Sequence, residues 1–393
     1  MRKQKKRRGL FFGALLVMLA LGFVGGMYLG RRPKEPVAVE HVEPVFGDEA
    51  SKKRLEAQGG SYAYSTLNEQ ERNVYDQMVY AIEKRKEYVS LATTDRDMME
   101  KVYWAMRYDH CEFFWTESYQ YEVFTDRNGT VTALYFRPEF TMTEEEQKKY
   151  ETQIRQAAGK MLEGISFDAS DYEKALYVYQ TLIAQTRYVT DSEHNQNIIS
   201  TFLNHETVCQ GYSYGAQYLL NLLGIPCTTV CGTAEGVNHS WNLVRLDGEY
   251  YYMDVTWGDA EYWAAVEDAA PVKESKDVIN YSYFGVSDQD ESFVEQHKPF
   301  SYIPMPACTA VENNYFVHEG LYFDSWDLEA VGEKIREAYQ AGEPVISLKF
   351  SDAAVYAQAM ESLIEQGNWA RYCEEKQIGY IDGLDMNVLM LRF

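Results

Sequence analysis

The segment from residue 207 to 257 constrains the fold most, because it carries a cysteine, a histidine and an aspartate, in that order, on a predicted helix and two predicted strands. Cys209 opens an amphipathic helix whose apolar residues recur at helical spacing until the Gly-Ile-Pro of residues 224–226 ends it. His239 opens a strand, and Asp254 lies on the strand after it. A helix with a thiol at its start, packed on an antiparallel sheet, predicts an α+β fold.

The turn at residues 247–248 fixes how these two strands pair. A two-residue Asp-Gly turn sets a hairpin register in which His239 lies opposite Thr256. His239 and Asp254 are then diagonal neighbours on one face of the sheet, about 7–8 Å apart between backbones. An imidazole and a carboxylate can close that gap.

The residue types of this segment suit nucleophilic catalysis by a thiol. A helix N-terminus and a neighbouring imidazole lower the pKa of a cysteine, which makes its thiolate available for attack. The carboxylate of Asp254 would hold the tautomer and orientation of the His239 ring, while the other ring nitrogen faces Cys209. The backbone N–H of Cys209 is a candidate donor to the oxyanion that forms on attack. We therefore predict Cys209, His239 and Asp254 as catalytic residues.

Two other kinds of site are compatible with some of the same residues. The run from Gly211 to Gly215 has the G-x-S-x-G form of a hydrolase nucleophile elbow, but an elbow needs a strand directly before its serine. Ser213 falls four residues into a predicted helix instead. The second alternative is a zinc site, whose potential ligands are Cys209, Cys227, Cys231 and His239. Their spacing matches no common finger or ribbon.

His205 and the other cysteines have plainer interpretations. His205 lies in a polar connection, which favours a solvated loop histidine over a rival base for Cys209. Six cysteines in 393 residues are too few for a disulfide scaffold. Cys227 and Cys231 on one strand would be about 13 Å apart, beyond the roughly 7 Å that a disulfide allows. We predict no bond between these two.

Four short motifs in this part of the chain resemble the transglutaminase-like superfamily. The superfamily patterns run roughly as G-V-C-x-G-Y-A, G-I-P, H-A-W-N and D-x-T-W. The matching stretches here are VCQGYS at residues 208–213, LGIPC at 223–227, NHSWN at 238–242 and YMDVTW at 252–257. The resemblance covers about residues 170–260, and four motifs in the right order make it specific.

The resemblance implies a papain-like core with Cys209 as nucleophile, His239 as base and acid, and Asp254 as the residue that orients the ring. Thr207 stands where glycine is usual, and Ser213 and Ser240 stand where alanine is common. The motifs do not fix the side chain that would stabilise the oxyanion. Members of the superfamily include amide cross-linkers, peptidases and inactive copies, so the reaction stays open.

The distribution of charge excludes one class of partner. The first 34 residues hold nine Lys or Arg and no acidic residue, which leaves 28 basic against 60 acidic residues in the body, a net charge of −32. Such an acidic body repels nucleic acid and other polyanions. We predict no nucleic-acid partner.

The N-terminus has the pattern of a membrane anchor. A basic cluster at residues 2–8 precedes twenty uncharged residues from Leu10 to Leu29, which as a helix would be roughly 30 Å long, one hydrocarbon core. A cleaved signal peptide has a shorter apolar region and a clear cleavage site. More positive charges precede the span than follow it, which places the body outside the cytoplasm. We predict residues 1–32 as an anchor in a single-pass membrane protein of bacterial type, secreted if the segment is cleaved.

The remaining chain divides into a linker and three folded parts. Residues 33–60 lack an apolar pattern and predict a tether. Residues 61–165 predict a mixed α+β region of two helices, a hairpin and a third helix, and residues 166–308 the catalytic domain. Residues 309–393 predict a small α/β sandwich that starts with a strand from Tyr315 to Phe323.

These inferences predict a thiol enzyme that transfers acyl groups from protein or peptide amides, by hydrolysis or by transfer to an amine. The exterior location favours wall-attached or secreted proteins as substrates. The reaction needs no cofactor, and no calcium loop is recognisable. The alternative is a catalytically silent surface binding module, for which the abundant tyrosines would line a groove.

Overall fold

The computed structural model describes residues 35–41, 49–57, 60–259, 279–384 and 386–393. The predicted membrane segment at residues 1–32 lies outside these ranges. Within them, no helix has the length and apolar character that crossing a bilayer requires.

Helices and strands alternate along the described chain. The principal helices are Glu49–Ala57, Tyr62–Ser65, Glu69–Glu83, Arg96–Asp109, Glu144–Met161, Asp171–Gln185, Cys209–Leu222, Val255–Gly258, Glu291–Gln296, Tyr315–His318, Leu328–Ala341 and Ala353–Ala359. The strands are β1 (Val89–Ser90), β2 (Thr116–Thr125), β3 (Val131–Phe140), β4 (Arg187–Tyr188), β5 (Glu206–Thr207), β6 (Cys227–Ala234), β7 (Val237–Leu246), β8 (Glu249–Met253), β9 (Phe284–Val286), β10 (His297–Pro299), β11 (Tyr322–Phe323), β12 (Val345–Phe350), β13 (Gly379–Leu384) and β14 (Val388–Arg392). The mixture of helices with antiparallel sheet confirms the predicted α+β class.

Capping residues decide where several helices begin. Asn68, Thr143 and Ser170 each accept a hydrogen bond from the backbone N–H three residues on, and a glutamate at that position bonds back to the capping residue. This reciprocal pairing satisfies two backbone donors that a helix start otherwise leaves open. The helix from Cys209 is different, because Val208 before it makes no side-chain cap.

A five-stranded antiparallel sheet in the order β10-β6-β7-β8-β9 forms the centre of the fold. The β7–β8 register runs from Leu246 opposite Glu249 to Asn242 opposite Met253, as the two-residue turn predicts. Strand β8 ends at Met253, so the predicted pairing of His239 with Thr256 is wrong: Thr256 lies in the short helix that follows.

One continuous hydrophobic core joins the predicted N-terminal region to the Cys209 helix. Buried residues of helices Glu69–Glu83 and Arg96–Asp109 belong to the same cluster as Leu219 and Leu220. The amide of Gln217 strengthens this contact, since it donates to the carbonyls of Tyr108 and Asp109. The N-terminal region therefore supports the helix that carries the thiol.

The C-terminal part is a four-stranded mixed sheet in the order β11-β12-β14-β13, with the Leu328–Ala341 helix packed against it. The predicted strand from Tyr315 to Phe323 is wrong. Asn314 caps a helical turn at residues 315–318, and only residues 322–323 are extended. Strand β13 was not predicted.

Candidate active site

The thiol of Cys209 lies at the first residue of its helix, where backbone N–H groups are without intrahelical partners. The residue is 8% exposed. Burial opposes ionisation of the sulfur, but a hydrogen bond and the charge of His239, with further hydrogen bonds from Ser240, lower the Cys209 pKa below its ordinary value. The sulfur is therefore set to ionise more readily than an ordinary buried thiol.

The imidazole of His239 connects the thiol to the carboxylate of Asp254. Its Nε2 lies 2.6 Å from Asp254 Oδ2, and the ring is close enough to Cys209 for each group to shift the pKa of the other. Since Nε2 faces the carboxylate, Nδ1 is the nitrogen that faces the sulfur. Burial disfavours the charged ring, but Asp254 and Cys209 outweigh it and raise the His239 pKa to about 10.

The carboxylate of Asp254 is fully buried and accepts hydrogen bonds at both oxygens. Oδ1 accepts from the backbone N–H of Trp257 at 3.1 Å, so the same residue also caps the short helix after it. Burial would raise the Asp254 pKa, yet the two imidazoles of His239 and His297 lower it far below its usual range. The aspartate is an anion that its surroundings hold in one orientation.

Two serines extend the hydrogen bonding around the thiol. Ser240 follows His239 on β7 and hydrogen-bonds to the Cys209 sulfur through both its side chain and its backbone. Ser213, one turn along the helix, donates to the carbonyl of Cys209 at 2.9 Å and to Ser240 Oγ at 3.2 Å. The serines at these two positions, where alanine is common, thus place polar groups beneath the sulfur.

A second histidine, which no sequence motif marks, contacts the same carboxylate. His297 on the edge strand β10 has its Nε2 3.0 Å from Asp254 Oδ2. It follows the aspartate by 43 positions and lies in a three-residue strand without a motif. Only the sheet order, which places β10 two strands from β7, could have revealed it.

His239, Asp254 and His297 each place a possible metal-ligand atom within 4.8 Å of the other two. No other group of three His, Cys, Asp or Glu residues in the described ranges is close enough to share an ion. Their mutual hydrogen bonds account for each of these atoms. The indole rings of Trp241 and Trp257 flank the cluster, with centroids 5.0 Å and 4.6 Å from that of His297. The arrangement is therefore a hydrogen-bonded relay enclosed by aromatic rings.

The alternative site residues do not assemble. Ser213 lies within the helix, with no strand directly before it. His205 is exposed at the left-handed end of a helical turn, whereas the imidazole that bonds to Cys209 is that of His239. The six cysteines of the chain all fall in the described ranges and all are free, which confirms that Cys227 and Cys231 are not bonded to each other.

A cysteine at a helix start, against an antiparallel sheet that carries a histidine–aspartate pair, defines a papain-like class of fold. Residues 159–255 match the family model described as the transglutaminase-like superfamily. This part of the chain is therefore similar to transglutaminase-like domains.

Two curated proteins are similar to part of the chain. They are the kyphoscoliosis peptidases of Mus musculus, 21% identical over 41% of this chain, and of Homo sapiens, 26% identical over 32%. The matches span 26% and 20% of those proteins, about a quarter of their length or less. A crystal structure of a TGase aligns over 35% of this chain and 50% of its own, at 16% identity and a TM-score of 0.26.

Proposed function

We propose that the protein is a thiol enzyme that transfers acyl groups from amides of proteins or peptides. The observation that carries this proposal is the position of His239, whose Nε2 lies 2.6 Å from Asp254 Oδ2 and whose ring lowers the pKa of Cys209. Each of these three side chains favours the charged state that catalysis by a thiolate requires.

The reaction begins when the Cys209 thiolate attacks an amide carbonyl carbon and the carbonyl electrons move to its oxygen. The backbone N–H of Cys209 donates to that oxyanion. The C–N bond then breaks, and the proton on His239 Nδ1 passes to the departing amine. A thioester of Cys209 remains, with His239 neutral and still bonded to Asp254.

The second half of the reaction releases the acyl group. His239 Nδ1 takes a proton from water or from a primary amine, which attacks the thioester carbon. The C–S bond breaks, and the thiolate returns beside the protonated imidazole. Water yields a carboxylic acid, as in a peptidase or amidase, whereas an amine yields a new amide, as in cross-linking.

The peptidase names of the curated relatives support a protein or peptide substrate. The net charge of −32 in the body disfavours polyanionic substrates. The uncharged segment at residues 10–29 supports attachment to the outer face of the cell membrane, where wall-attached or secreted proteins would be accessible.

A catalytically silent binding module is the second candidate, and one observation favours it. Cys209 and His239 are each only 8% exposed, so little of the reacting pair is open to a substrate. An enzyme with this geometry must open around the sulfur when it binds a peptide.

Mass spectrometry of a peptide library incubated with the full chain, with and without a primary amine, distinguishes these candidates. We expect cleavage or deamidation without amine, or new amide bonds with it, and loss of both in Cys209→Ala. Cys373→Ala is the matched control, because Cys373 is also buried but lies in the C-terminal part. A library left unchanged by the wild-type protein, together with retained binding of peptides, would establish the silent module.

A further inference from the structure

We propose that His297 is a positioning residue of this site, which holds the Asp254 carboxylate in the orientation that the His239 ring needs. This inference rests on the proposed thiol chemistry and adds a fourth residue to it. His297 does not touch the sulfur; it acts through the aspartate.

The hydrogen bonds at Asp254 leave little freedom for its carboxylate. Oδ2 accepts from Nε2 of His239 at 2.6 Å and from Nε2 of His297 at 3.0 Å, while Oδ1 accepts from the N–H of Trp257 at 3.1 Å. An ionised carboxylate only accepts hydrogen bonds, so both imidazoles must carry their hydrogen on Nε2. For His239, that tautomer leaves Nδ1 free to exchange a proton with Cys209.

The ring of His297 is itself fixed by packing. It stacks on Phe293 with centroids 4.0 Å apart and an interplanar angle of 10°, and it meets Trp257 edge-on at 4.6 Å. Its Nδ1 lies 3.3 Å from the carbonyl of Phe293. The side chain is 1% exposed, so water cannot replace it as a partner of the carboxylate.

The sheet register explains how two imidazoles reach one carboxylate. Gly232 of β6 pairs with His239 on one side and with Pro299 on the other, and Ala234 pairs with His297. Paired residues share a face of the sheet, so both histidines project from the same face on either side of β6. Between them β6 contributes only the small residues Gly232 and Ala234, which leave room for the rings to converge.

The charged and titratable groups around the aspartate come from four elements. His239 projects toward Asp254 from β7, His297 from β10 and Tyr179 from the Asp171–Gln185 helix. The backbone carbonyl of Tyr283 accepts from the Asp254 backbone N–H at 2.9 Å. Burial raises the pKa of Tyr179, which keeps that phenol neutral. Hydrogen bonds and charge interactions with the two imidazoles therefore lower the pKa of Asp254.

The test uses alkylation of Cys209 by iodoacetamide as a function of pH, which needs no substrate. Without the His297 donor, the Asp254 carboxylate holds the charged His239 ring less firmly, so the ring lowers the Cys209 pKa less. We expect His297→Leu to move the acid-side loss of Cys209 reactivity upward by about one pH unit, the size expected for one hydrogen bond to a charged group. His297→Gln, whose amide can donate to the same oxygen, should restore most of the wild-type profile.

His110→Leu is the matched control, because His110 is equally buried and stacks on Phe113, but its carboxylate partner is Glu112 and not Asp254. It should lower the melting temperature without moving the pH profile. A His297→Leu profile that coincides with the wild-type profile would overturn the proposal.

Should His297→Leu fail to fold, NMR of the histidine rings in the wild-type protein decides. Nε2–H protons of both His239 and His297, shielded from exchange, are expected, and a His297 ring without a hydrogen on Nε2 would contradict the proposal. Neither measurement involves turnover. A peptide library that the wild-type protein leaves unchanged would therefore refute the proposed enzyme without affecting the role of His297 at Asp254.

Discussion

The Asp254 carboxylate reaches the His239 ring at 2.6 Å although strand β8 ends at Met253, one residue before the aspartate. The aspartate leaves the sheet and caps the helix Val255–Gly258 through its Oδ1, while Oδ2 faces the imidazole. One side chain thus ends the strand, starts the helix and orients the histidine. This double attachment fixes the carboxylate more firmly than a position within the strand would.

The first prediction concerns the pH dependence of Cys209 alkylation. The Cys209 pKa is lowered, while that of His239 is raised to about 10. Below the lowered thiol pKa the sulfur is protonated, and above about 10 the imidazole loses its proton. We therefore expect a thiolate–imidazolium pair between these limits and fast reaction with iodoacetamide at pH 7, where an ordinary cysteine of pKa about 8.5 is mostly protonated.

In His239→Ala the alkylation rate of Cys209 at pH 7 should fall by at least about tenfold, because burial then acts on the thiol without its charged partner. Mass spectrometry of the labelled peptides measures the rate at each cysteine. Cys373, whose pKa burial raises, is the internal reference. Equal rates at Cys209 and Cys373 in the wild-type protein would contradict an activated thiol.

The second prediction concerns Ser240, which stands where alanine is common. Both its side chain and its backbone hydrogen-bond to the Cys209 sulfur. Ser240→Ala removes the side-chain donor, so we expect the thiol pKa to rise by about one unit and the alkylation rate at pH 7 to fall accordingly. Ser347→Ala, at a buried serine of strand β12, is the control and should leave the rate unchanged. An unchanged profile in Ser240→Ala would mean that the backbone N–H alone supports the thiolate.

The third prediction concerns Gly232, where strands β6 and β10 approach each other closely. A Cβ at this position would lie 2.2 Å from the carbonyl oxygen of Lys298 and 2.8 Å from the Cα of Pro299. Both are backbone atoms, so Gly232→Ala should displace β10 and His297 with it. We expect a loss of about 1–3 kcal/mol in the free energy of unfolding, the usual cost of overpacking, together with slower alkylation of Cys209.

The matched control for that substitution is Gly159→Ala. Gly159 lies in the helix Glu144–Met161, and a Cβ there meets no atom within 4 Å. Replacing a glycine in a helix interior by alanine stabilises by about 0.5–1 kcal/mol. Denaturant unfolding should therefore show a lower free energy of unfolding for Gly232→Ala and a higher one for Gly159→Ala. Equal free energies of unfolding for the two variants would show that strand β10 can move without destabilising the fold.

Local chemistry made much of the fold predictable. Asp95 and Thr143 mark helix starts because short polar side chains satisfy free backbone donors there. The Asp-Gly turn gave the β7–β8 register, and with it the approach of His239 to Asp254.

The errors arose where the decisive partner is distant in the sequence or the pattern is ambiguous. The aromatic and apolar residues at 315–317 and 321–323 are typical of a strand, yet the side chain of Asn314 accepts from the N–H of Phe316 and starts a helical turn. His297 belongs to the site only because β10 pairs with β6, and a three-residue edge strand has too few residues to show a period.

The last prediction links the C-terminal sheet to the active site. Lys349 of strand β12 forms an ion pair with Asp290, and both side chains are largely buried, at 11% and 14% exposure. Asp290 also caps the helix Glu291–Gln296, whose end leads directly into His297.

Lys349→Met leaves the carboxylate of Asp290 buried without its partner, which costs about 3–5 kcal/mol. Adding Asp290→Asn removes that charge while keeping a side chain able to cap the helix, so the double variant should recover most of the stability. Lys334→Met, which breaks the more exposed pair with Glu337, should cost less than about 1 kcal/mol. Because the helix that Asp290 caps leads to His297, Lys349→Met should also slow Cys209 alkylation. A loss of stability with an unchanged alkylation rate would show that the C-terminal sheet supports the fold without influencing the site.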